Sequence, residues 1–411
     1  MKTYHTISLL MLVGMVLCSV STLAAEGWKL QSSGTDYNLM EVQFVDTAKA
    51  IAVGESGTIL KTTDGGKNWA PVASGIVTSL NGVEFASPTV GIADGLGGII
   101  LRTTDGGDSW NPVSSGTTSD LYGACFVNAT VGTIVGFDGT ILRTTDGGAT
   151  WNPQTSGTIA RLYEVEFTEP SIGNVVGQNG IILRTTNGGA DWVPQVTGED
   201  QLDFFGIDFR DAQNGIVVGE FGIIRVTTDG GAAWTSQASM TAETLLAVNF
   251  YNDQVGTIVG TKGTIVSTTD GGTNWVPDTS GTTEALNEVH YAVPNRVVAI
   301  GAKGTILSKE ATGPTSVSPI DPTPVAFELR QNYPNPFNPS TRVSFQLPAA
   351  AHARIVVYDA LGKVIGELLN EGLIAGTYEV VFDGKGLASG TYYCRLTAGS
   401  HTAIRAMILM K

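Results

Sequence analysis

Short apolar segments alternate with glycine-rich turns from residue 26 to residue 311, and the pattern returns every 41 or 42 residues. Each unit holds a strand with apolar residues at fixed offsets, then strands such as Ile51-Ala52-Val53-Gly54 and Gly57-Thr58-Ile59-Leu60, then a strand that begins at a tryptophan. Alternating apolar residues between glycine-bounded turns predict antiparallel strands. Four short strands per unit match one blade of a β-propeller, so the pattern predicts an all-β fold.

A turn motif, Thr-x-Asp-Gly-Gly-x-x-Trp, follows the third strand of six units and first occurs from Thr62 to Trp69. Its carboxylate is expected to accept backbone N–H bonds within the turn, and its two glycines are expected to adopt positive φ. The fourth copy has an Asn, which keeps the acceptor and loses the charge, so the motif predicts a structural turn rather than a catalytic or metal-binding site. The acceptors are Asp64, Asp105, Asp146, Asn187, Asp229 and Asp270.

The number of blades follows from the Gly-x-Ile element, which occurs seven times. The last copy, at Gly304, has no turn motif and no tryptophan strand after it, whereas residues 26–34 match that missing strand and place Trp28 in register with Trp69. We therefore expect the N-terminal strand to complete the seventh blade and close the ring. Closure removes the open sheet edges that promote aggregation.

The flanking segments differ from the repeats in composition. Residues 1–25 combine Lys2, an apolar stretch and a small-residue cleavage site at Ala24 or Ala25, which is typical of a secretory signal peptide. Residues 312–326 are rich in Pro, Ser and Thr and predict an extended linker. Residues 327–411 show alternating strands separated by turns and predict a small Ig-like β-sandwich.

Two resemblances extend these predictions. The turn motif resembles the Asp-box of sialidase-type repeats (BNR repeats), and the 41-residue pattern of residues 26–311 resembles the photosystem II assembly and stability factor family of seven-bladed propellers.

Residues 327–411 resemble the C-terminal sorting domain of the type IX secretion pathway. That resemblance implies a partner, the type IX machinery, and a location at the outer-membrane cell surface or outside the cell; the alternative is a similar sandwich that serves as an adhesion module. The matching residues include Pro334, Asn335, Pro336, Phe337, Gly362, Gly376, Gly390 and Lys411.

Charge and composition exclude several classes of partner. The formal net charge is -15, which argues against binding nucleic acid or an anionic membrane through a basic patch. After the signal peptide, no apolar run is long enough to span a bilayer. Cys125 and Cys394 fall in different domains, so no disulfide framework is expected. We find no cofactor motif.

Two sets of residues on the innermost strands are candidates for a site. The first set would make the central channel acidic; it could hold a cation through oxygen ligands, or it could be a solvated wall. The second set is aromatic and could form a ligand platform at the channel mouth, or could pack between blades. The acidic set is Glu41, Glu84, Glu164, Glu166, Asp208 and Glu288. The aromatic set is Tyr122, Tyr163 and Phe205 at the start of the innermost strands, with Phe137 and Phe221 in the Gly-x-x-Gly turns.

Enzyme signatures are absent from the sequence: it has no phosphate loop, no Ser-His-Asp signature, no His-Cys metal cluster and no arginine triad of the sialidase type. Basic residues recur just before the Asp turn, from Lys61 to Arg184, where they are expected to be solvated. The sequence therefore favours a non-enzymatic binding module for a protein or glycan. One alternative is a glycoside hydrolase or lyase on the face that bears the inter-blade loops, and another is a purely structural envelope protein.

Overall fold

A computed structural model describes residues 27–196, 201–293, 296–310, 327–348, 351–373, 376–399 and 401–410. The signal peptide, the linker and Lys411 lie outside the described residues, and they stay predictions. The chain forms two compact units, one ending at Glu310 and one that contains residues 327–410. In the described residues, no helix has the length and hydropathy needed to span a membrane.

The first unit is a seven-bladed propeller: in its described part, strands β1 to β28 form seven four-stranded antiparallel sheets. Blade 1 contains β2 to β5, each later blade takes the next four strands, and blade 7 combines β26, β27 and β28 with β1. The strands are β1 (Lys29–Gln31), β2 (Leu39–Phe44), β3 (Ala50–Gly54), β4 (Ile59–Thr62), β5 (Ala70–Pro71), β6 (Leu80–Phe85), β7 (Gly91–Gly95), β8 (Ile100–Thr103), β9 (Asn111–Val113), β10 (Leu121–Phe126), β11 (Gly132–Gly136), β12 (Ile141–Thr144), β13 (Asn152–Gln154), β14 (Leu162–Glu169), β15 (Ile172–Gly177), β16 (Ile182–Thr185), β17 (Val193–Pro194), β18 (Phe204–Phe209), β19 (Gly215–Gly219), β20 (Ile224–Thr227), β21 (Thr235–Gln237), β22 (Leu245–Phe250), β23 (Gly256–Gly260), β24 (Ile265–Thr268), β25 (Val276–Asp278), β26 (Leu286–Val293), β27 (Arg296–Gly301) and β28 (Ile306–Glu310).

A one-turn 3-10 helix joins the second and third strands of every blade in the described residues. Its middle residue adopts a left-handed conformation, for example Ser56 with φ 55° and Phe221 with φ 52°. The glycine that follows approaches the next Ser-Gly turn closely: a Cβ on Gly57 would lie 2.4 Å from the Ile76 carbonyl oxygen. The seven helices are Glu55–Gly57, Leu96–Gly98, Phe137–Gly139, Gln178–Gly180, Glu220–Gly222, Thr261–Gly263 and Ala302–Gly304.

The ring is closed by the N-terminal strand, as the repeat register predicts. β1 pairs antiparallel with β28, with Lys29 opposite Ser308 and Gln31 opposite Ile306. The indole of Trp28 is buried, and its Nε1 donates to the Asp278 carboxylate over 3.2 Å. Blades 7 and 1 share one apolar core, which includes Leu39 and Ile306. The propeller therefore depends on a contact between its first and last strands.

Each Asp turn is held by its own side chains. Thr62 Oγ1 donates to Asp64 Oδ1 and accepts from the Gly66 N–H, and the same Asp oxygen accepts the Lys67 and Asn68 N–H groups. The hydrogen bonds from the Asn68 side chain and backbone contribute most to lowering the Asp64 pKa to about 2. The tryptophan after the turn packs edge-on against a phenylalanine of the innermost strand in blades 2 to 6, at 5.8 to 6.3 Å between ring centroids.

The fourth Asp turn reverses the usual donor and acceptor. Asn187 Nδ2 donates to the Asp191 carboxylate over 2.8 Å, whereas in the first turn Asn68 donates to Asp64. We expect Asn187→Asp to lower the free energy of unfolding by about 1 kcal/mol, because it would place two carboxylates side by side. Adding Asp191→Asn should restore the stability, as measured by urea denaturation at low salt. Equal stability of the single and double variants would contradict this explanation.

The second unit is a small Ig-like sandwich of two antiparallel sheets, ordered β29-β30-β33 and β32-β31-β34-β35. Its core includes Phe345 and Tyr378, whose rings stack at 5.3 Å. The predicted sorting block lies against the edge strand β35: the buried Phe337 donates its N–H to the Ile408 carbonyl, and Asn335 Oδ1 accepts the Ile408 N–H. The strands are β29 (Glu328–Leu329), β30 (Ser340–Leu347), β31 (Ala351–Asp359), β32 (Val364–Leu373), β33 (Gly376–Asp383), β34 (Gly390–Ala398) and β35 (His401–Leu409).

Candidate functional site

Hydrogen bonds define two faces of the propeller. The N–H that begins each 3-10 helix donates to the residue before the innermost strand, as Glu55 N donates to the Asn38 carbonyl and Phe137 N to the Asp120 carbonyl. The 3-10 helices and the starts of the innermost strands therefore share one face, which we call the turn face. The Asp turns bond to the loop at the other end of that strand, since Gly65 N donates to the Ala48 carbonyl.

An aromatic row lies on the turn face at the channel mouth and consists of Tyr122, Tyr163 and Phe205. The Tyr122 and Tyr163 rings are 5.8 Å apart, and the Tyr163 and Phe205 rings are 5.0 Å apart. All three side chains are half-buried, so part of each ring is accessible. Tyr163 Oη donates to the Asp203 carboxylate over 3.0 Å, and burial together with this anion raises the Tyr163 pKa to about 12. The row is continuous across blades 3, 4 and 5.

The other two aromatic candidates lie on the same face but outside the row. In the described residues, the ring contacts of the row do not extend to Phe137 or Phe221. Phe137 lies beneath the guanidinium of Arg161, which is 4.8 Å from its ring centroid. Phe221 is 71 % exposed at the tip of its turn. Arg161 thus contacts Phe137 and also interacts with Tyr163 of the row, which partly offsets the rise that burial causes in the Tyr163 pKa.

Four of the six residues in the predicted acidic wall join neighbouring blades, three of them from one repeat position. At the second channel-facing position of the innermost strand, the side chain accepts the N–H of an aromatic residue in the next blade. Gln43 accepts from Phe85 N over 2.7 Å, and Glu166 accepts from Phe209 N over 2.7 Å. The same bond joins Glu84 to Phe126 N, Asp208 to Phe250 N, and Asn249 to Tyr291 N. These side chains have a structural role that a solvated wall would not have.

The first channel-facing position of each innermost strand comes one residue after the repeat position that the aromatic row occupies. It carries Glu41, Glu164 and Glu288 in blades 1, 4 and 7. Glu41 accepts the Val83 N–H of the next blade over 3.0 Å. Glu164 and Glu288 accept the N–H of the following residue in their own strands. Burial is the largest cause that raises the pKa of all three carboxyls, that of Glu164 to about 8, and their mutual repulsion adds to it for Glu41 and Glu288.

Asp94 is a buried channel carboxylate that the repeat analysis missed. It lies on β7 opposite Gly82, is 0 % exposed, and neither carboxylate oxygen has a hydrogen-bond partner. A Cβ on Gly82 would lie 2.4 Å from Asp94 Oδ2, so the carboxylate occupies the space into which a side chain at position 82 would point. Burial raises the Asp94 pKa to about 7. The signal was in the sequence, because the equivalent positions of the other blades are Val53, Val135, Val176, Val218, Val259 and Ile300.

The recurring basic residues are not the solvated strand residues that the sequence suggested. Lys61 Nζ donates to the Gly106 carbonyl over 3.1 Å, and Arg102 Nε donates to the Gly147 carbonyl over 2.7 Å. Lys61 and Arg102 thus hold the Asp turn of the next blade, whereas Arg143 donates to Thr133 Oγ1 and to the Pro170 carbonyl. Lys61 and Arg102 do so on the face opposite the aromatic row.

The grooves and potential metal ligands of the described residues point to no other centre. Three open grooves of about 610, 790 and 670 Å³ lie beside Ser-Gly turns such as Ser33-Gly34 and Ser115-Gly116, away from the row. Within the described ranges, no group of three or more His, Cys, Asp or Glu side chains is arranged to hold a metal ion. The channel mouth is therefore the place where half-buried aromatic side chains and acidic side chains converge.

Comparisons with known families bear out both resemblances. Residues 20–119 and 155–243 match the profile of photosynthesis system II assembly factor YCF48. Residues 331–410 match the profile of the secretion system C-terminal sorting domain, which indicates secretion or attachment to the cell surface. A search of curated proteins finds no significant match.

Solved structures agree on the fold. A structure of YCF48 bound to a D1 peptide is 19 % identical with a TM-score of 0.61, and the match covers 70 % of this chain and 96 % of that chain. YCF48 from Cyanidioschyzon merolae is 21 % identical with a TM-score of 0.61, covering 69 % and 99 %. The WD40 repeats of RRP9 reach a TM-score of 0.60 at 8 % identity, covering 69 % and 97 %. At these identities the likeness shows the propeller fold alone.

Proposed function

We propose that this chain is an exported, non-enzymatic binding module that holds a protein segment or a glycan on the turn face of its propeller. The sorting domain would pass the chain to the type IX machinery and so deliver the propeller to the cell surface or the medium. The observation that carries the proposal is the aromatic row of Tyr122, Tyr163 and Phe205. The mature chain needs no cofactor in this role.

The chemistry of the row suits binding. Aromatic rings offer a large contact area at a low cost in side-chain entropy, and they dominate the energetics of many interfaces. Asp203 and Arg161 lie beside the row and supply a hydrogen-bond acceptor and donors. The propeller in a solved structure of similar fold was captured with a peptide, which supports a peptide ligand here.

A second candidate, a glycoside hydrolase or lyase, would use the channel carboxylates next to the row. Glycoside hydrolysis requires two carboxyl groups that flank the scissile bond, one acting as an acid. Glu41 and Glu84 have the raised pKa that an acid needs, but both accept backbone N–H groups of the neighbouring blade. Those bonds favour a structural role for them, so we place binding first.

The test is binding by the mature full-length chain and by its Tyr122→Ala/Tyr163→Ala/Phe205→Ala variant to glycan and peptide arrays. We expect the variant to lose at least tenfold in affinity, because central aromatic residues contribute on the order of 2 kcal/mol or more each. Ligands eluted from the arrays are assayed for shortened chains. Cleavage would overturn the non-enzymatic assignment.

The matched control is Val77→Ala/Ile159→Ala, which removes side chains that are 86 % and 87 % exposed beside Ser-Gly turns. It should bind like the native chain. Tyr163→Phe keeps the ring and removes only the hydrogen bond to Asp203. Comparing it with the triple variant distinguishes the effect of losing the aromatic contact from the effect of losing this hydrogen bond. Unchanged binding by the triple variant would remove the row from the proposal.

A further inference from the structure

Beneath the aromatic row, the channel carries four carboxylates at one level: Glu41, Asp94, Glu164 and Glu288. The three glutamates share a level because they occupy the same repeat position of their innermost strands. In blade 2 that position is Gly82, and the Asp94 carboxylate fills the space that a side chain there would take. Glu164 in turn occupies the space beside Gly123, where a Cβ would lie 2.7 Å from Glu164 Oε1. Two glycines of the innermost strands thus make room for acidic groups.

Asp94 is the member of this set that indicates a ligand. Both of its oxygens lack a partner, and the side chain is completely buried. An unpaired buried carboxylate costs several kcal/mol, so proteins retain one where something charged compensates it. Valine or isoleucine serves at the same position in the other six blades, which shows that the fold itself does not require the acid.

No cation of the described residues is paired with this set. Within those residues, none of the four carboxylates forms an ion pair with a lysine or arginine. Arg161, which lies beside the row, is placed over the Phe137 ring, 4.8 Å from its centroid. The lysines of the turn face are engaged elsewhere: Lys262 Nζ is 2.9 Å from Glu243, and Lys303 Nζ is 2.9 Å from Glu284. The interior of the channel mouth therefore holds a cluster of acidic groups without a partner cation, and their raised pKa values agree with ionisation being unfavourable until a cation is supplied.

We infer that the ligand of the turn face is a basic protein segment, and that a lysine or arginine side chain of this segment enters the channel mouth between the aromatic row and these carboxylates. The inference rests on the proposed function and specifies its ligand. Aromatic faces attract cations within about 6 Å, and carboxylates form strong charge-assisted bonds with ammonium and guanidinium groups. A flexible cationic side chain does not require the close, ordered ligand set of a metal, and no such set is present in the described ranges.

The probe is a heptapeptide library with a central lysine, arginine, norleucine or glutamate, titrated into the mature full-length chain and read by fluorescence anisotropy. We expect the lysine and arginine pools to bind at least tenfold more tightly than the norleucine and glutamate pools. Glu41→Gln/Glu164→Gln and Asp94→Val should each remove most of this preference. Asp138→Asn, an exposed acid on a turn of the same face, should leave it unchanged.

The outcomes separate the inference from the proposed function. If the lysine and norleucine pools bind equally, and both depend on the aromatic row, the row binds ligands and the cationic inference is wrong. If calcium binds by calorimetry while the pools show no preference for basic residues, the carboxylates serve a metal and the inference is also wrong. If no peptide pool and no glycan binds, the proposed function itself fails.

Discussion

Replacing Trp28 with alanine is expected to lower the free energy of unfolding of the propeller by about 3–5 kcal/mol. Trp28 precedes a strand that pairs with β28 through only three residues, so its buried indole and its bond to Asp278 provide much of the closure. Loss of this strand would leave blade 7 with three strands and an exposed sheet edge. Urea denaturation of the full chain, followed by circular dichroism, measures the change.

Leu30→Ala is the matched control, because Leu30 lies on the same strand and is 71 % exposed. Its substitution should change stability by less than about 0.5 kcal/mol. Size-exclusion chromatography adds a second readout, since an opened ring is expected to associate through its free edge. If Trp28→Ala were as stable as Leu30→Ala, the N-terminal strand would not be what closes the ring.

The repeat made the propeller predictable, because its period places each residue within a blade. Trp28 is an example: its spacing from Trp69 was enough to assign it to blade 7. Contacts between blades were harder to predict. The repeat gives the place of a residue within its own blade, but it does not show which residue of the next blade the side chain meets. Gln43 and Phe85 are 42 residues apart, one more than the period, and that offset is the contact between adjacent innermost strands. Glu166 and Phe209 are 43 residues apart, again one more than the 42-residue step between their blades, so this rule would have identified the structural role of Glu166.

The aromatic part of the candidate site could be predicted because its residues occupy one repeat position on consecutive blades. Residues that differ from their counterparts in the other blades could not be placed in this way. Tyr122, Tyr163 and Phe205 occupy one repeat position on consecutive blades, so their contact followed from the topology. Phe137 and Phe221 occupy different positions of their turns, and repeat position alone did not show that they lie outside the row. Asp94 was not predicted because it lies on the second strand of its blade, and the repeat places only the innermost strand along the channel. Its side chain reaches the channel because position 82 of the innermost strand is glycine.

The stability of the propeller is expected to fall as the pH rises from about 4 to 8. Asp94 has a pKa of about 7 in the fold against 3.8 for the free side chain, and burial raises those of Glu84 and Glu164 to about 8 from 4.5. A carboxyl whose pKa is raised by folding binds its proton more tightly in the folded state, so ionisation above the unfolded pKa favours unfolding. The Asp turns act in the opposite sense, because bonds from Asn68 lower the Asp64 pKa to about 2; that carboxylate stabilises the fold above pH 4 and loses this effect in acid.

Asp94→Val isolates the channel contribution, because the Asp turns are the same in both proteins and cancel in the difference. The variant should be more stable than the native chain by ~1–3 kcal/mol at pH 4, where it removes an unpaired buried polar group. The gain should grow by a further ~2–4 kcal/mol between pH 4 and pH 8, as the native Asp94 ionises against its surroundings. Urea denaturation at four pH values measures both parts, with Asp138→Asn as a control that should follow the native curve. Parallel curves for the variant and the native chain would show that Asp94 titrates in the fold as it does in the unfolded chain. Curves that diverge as the pH rises would show that the channel retains an acid at a cost in stability. That is the behaviour expected of a residue kept for a cationic ligand.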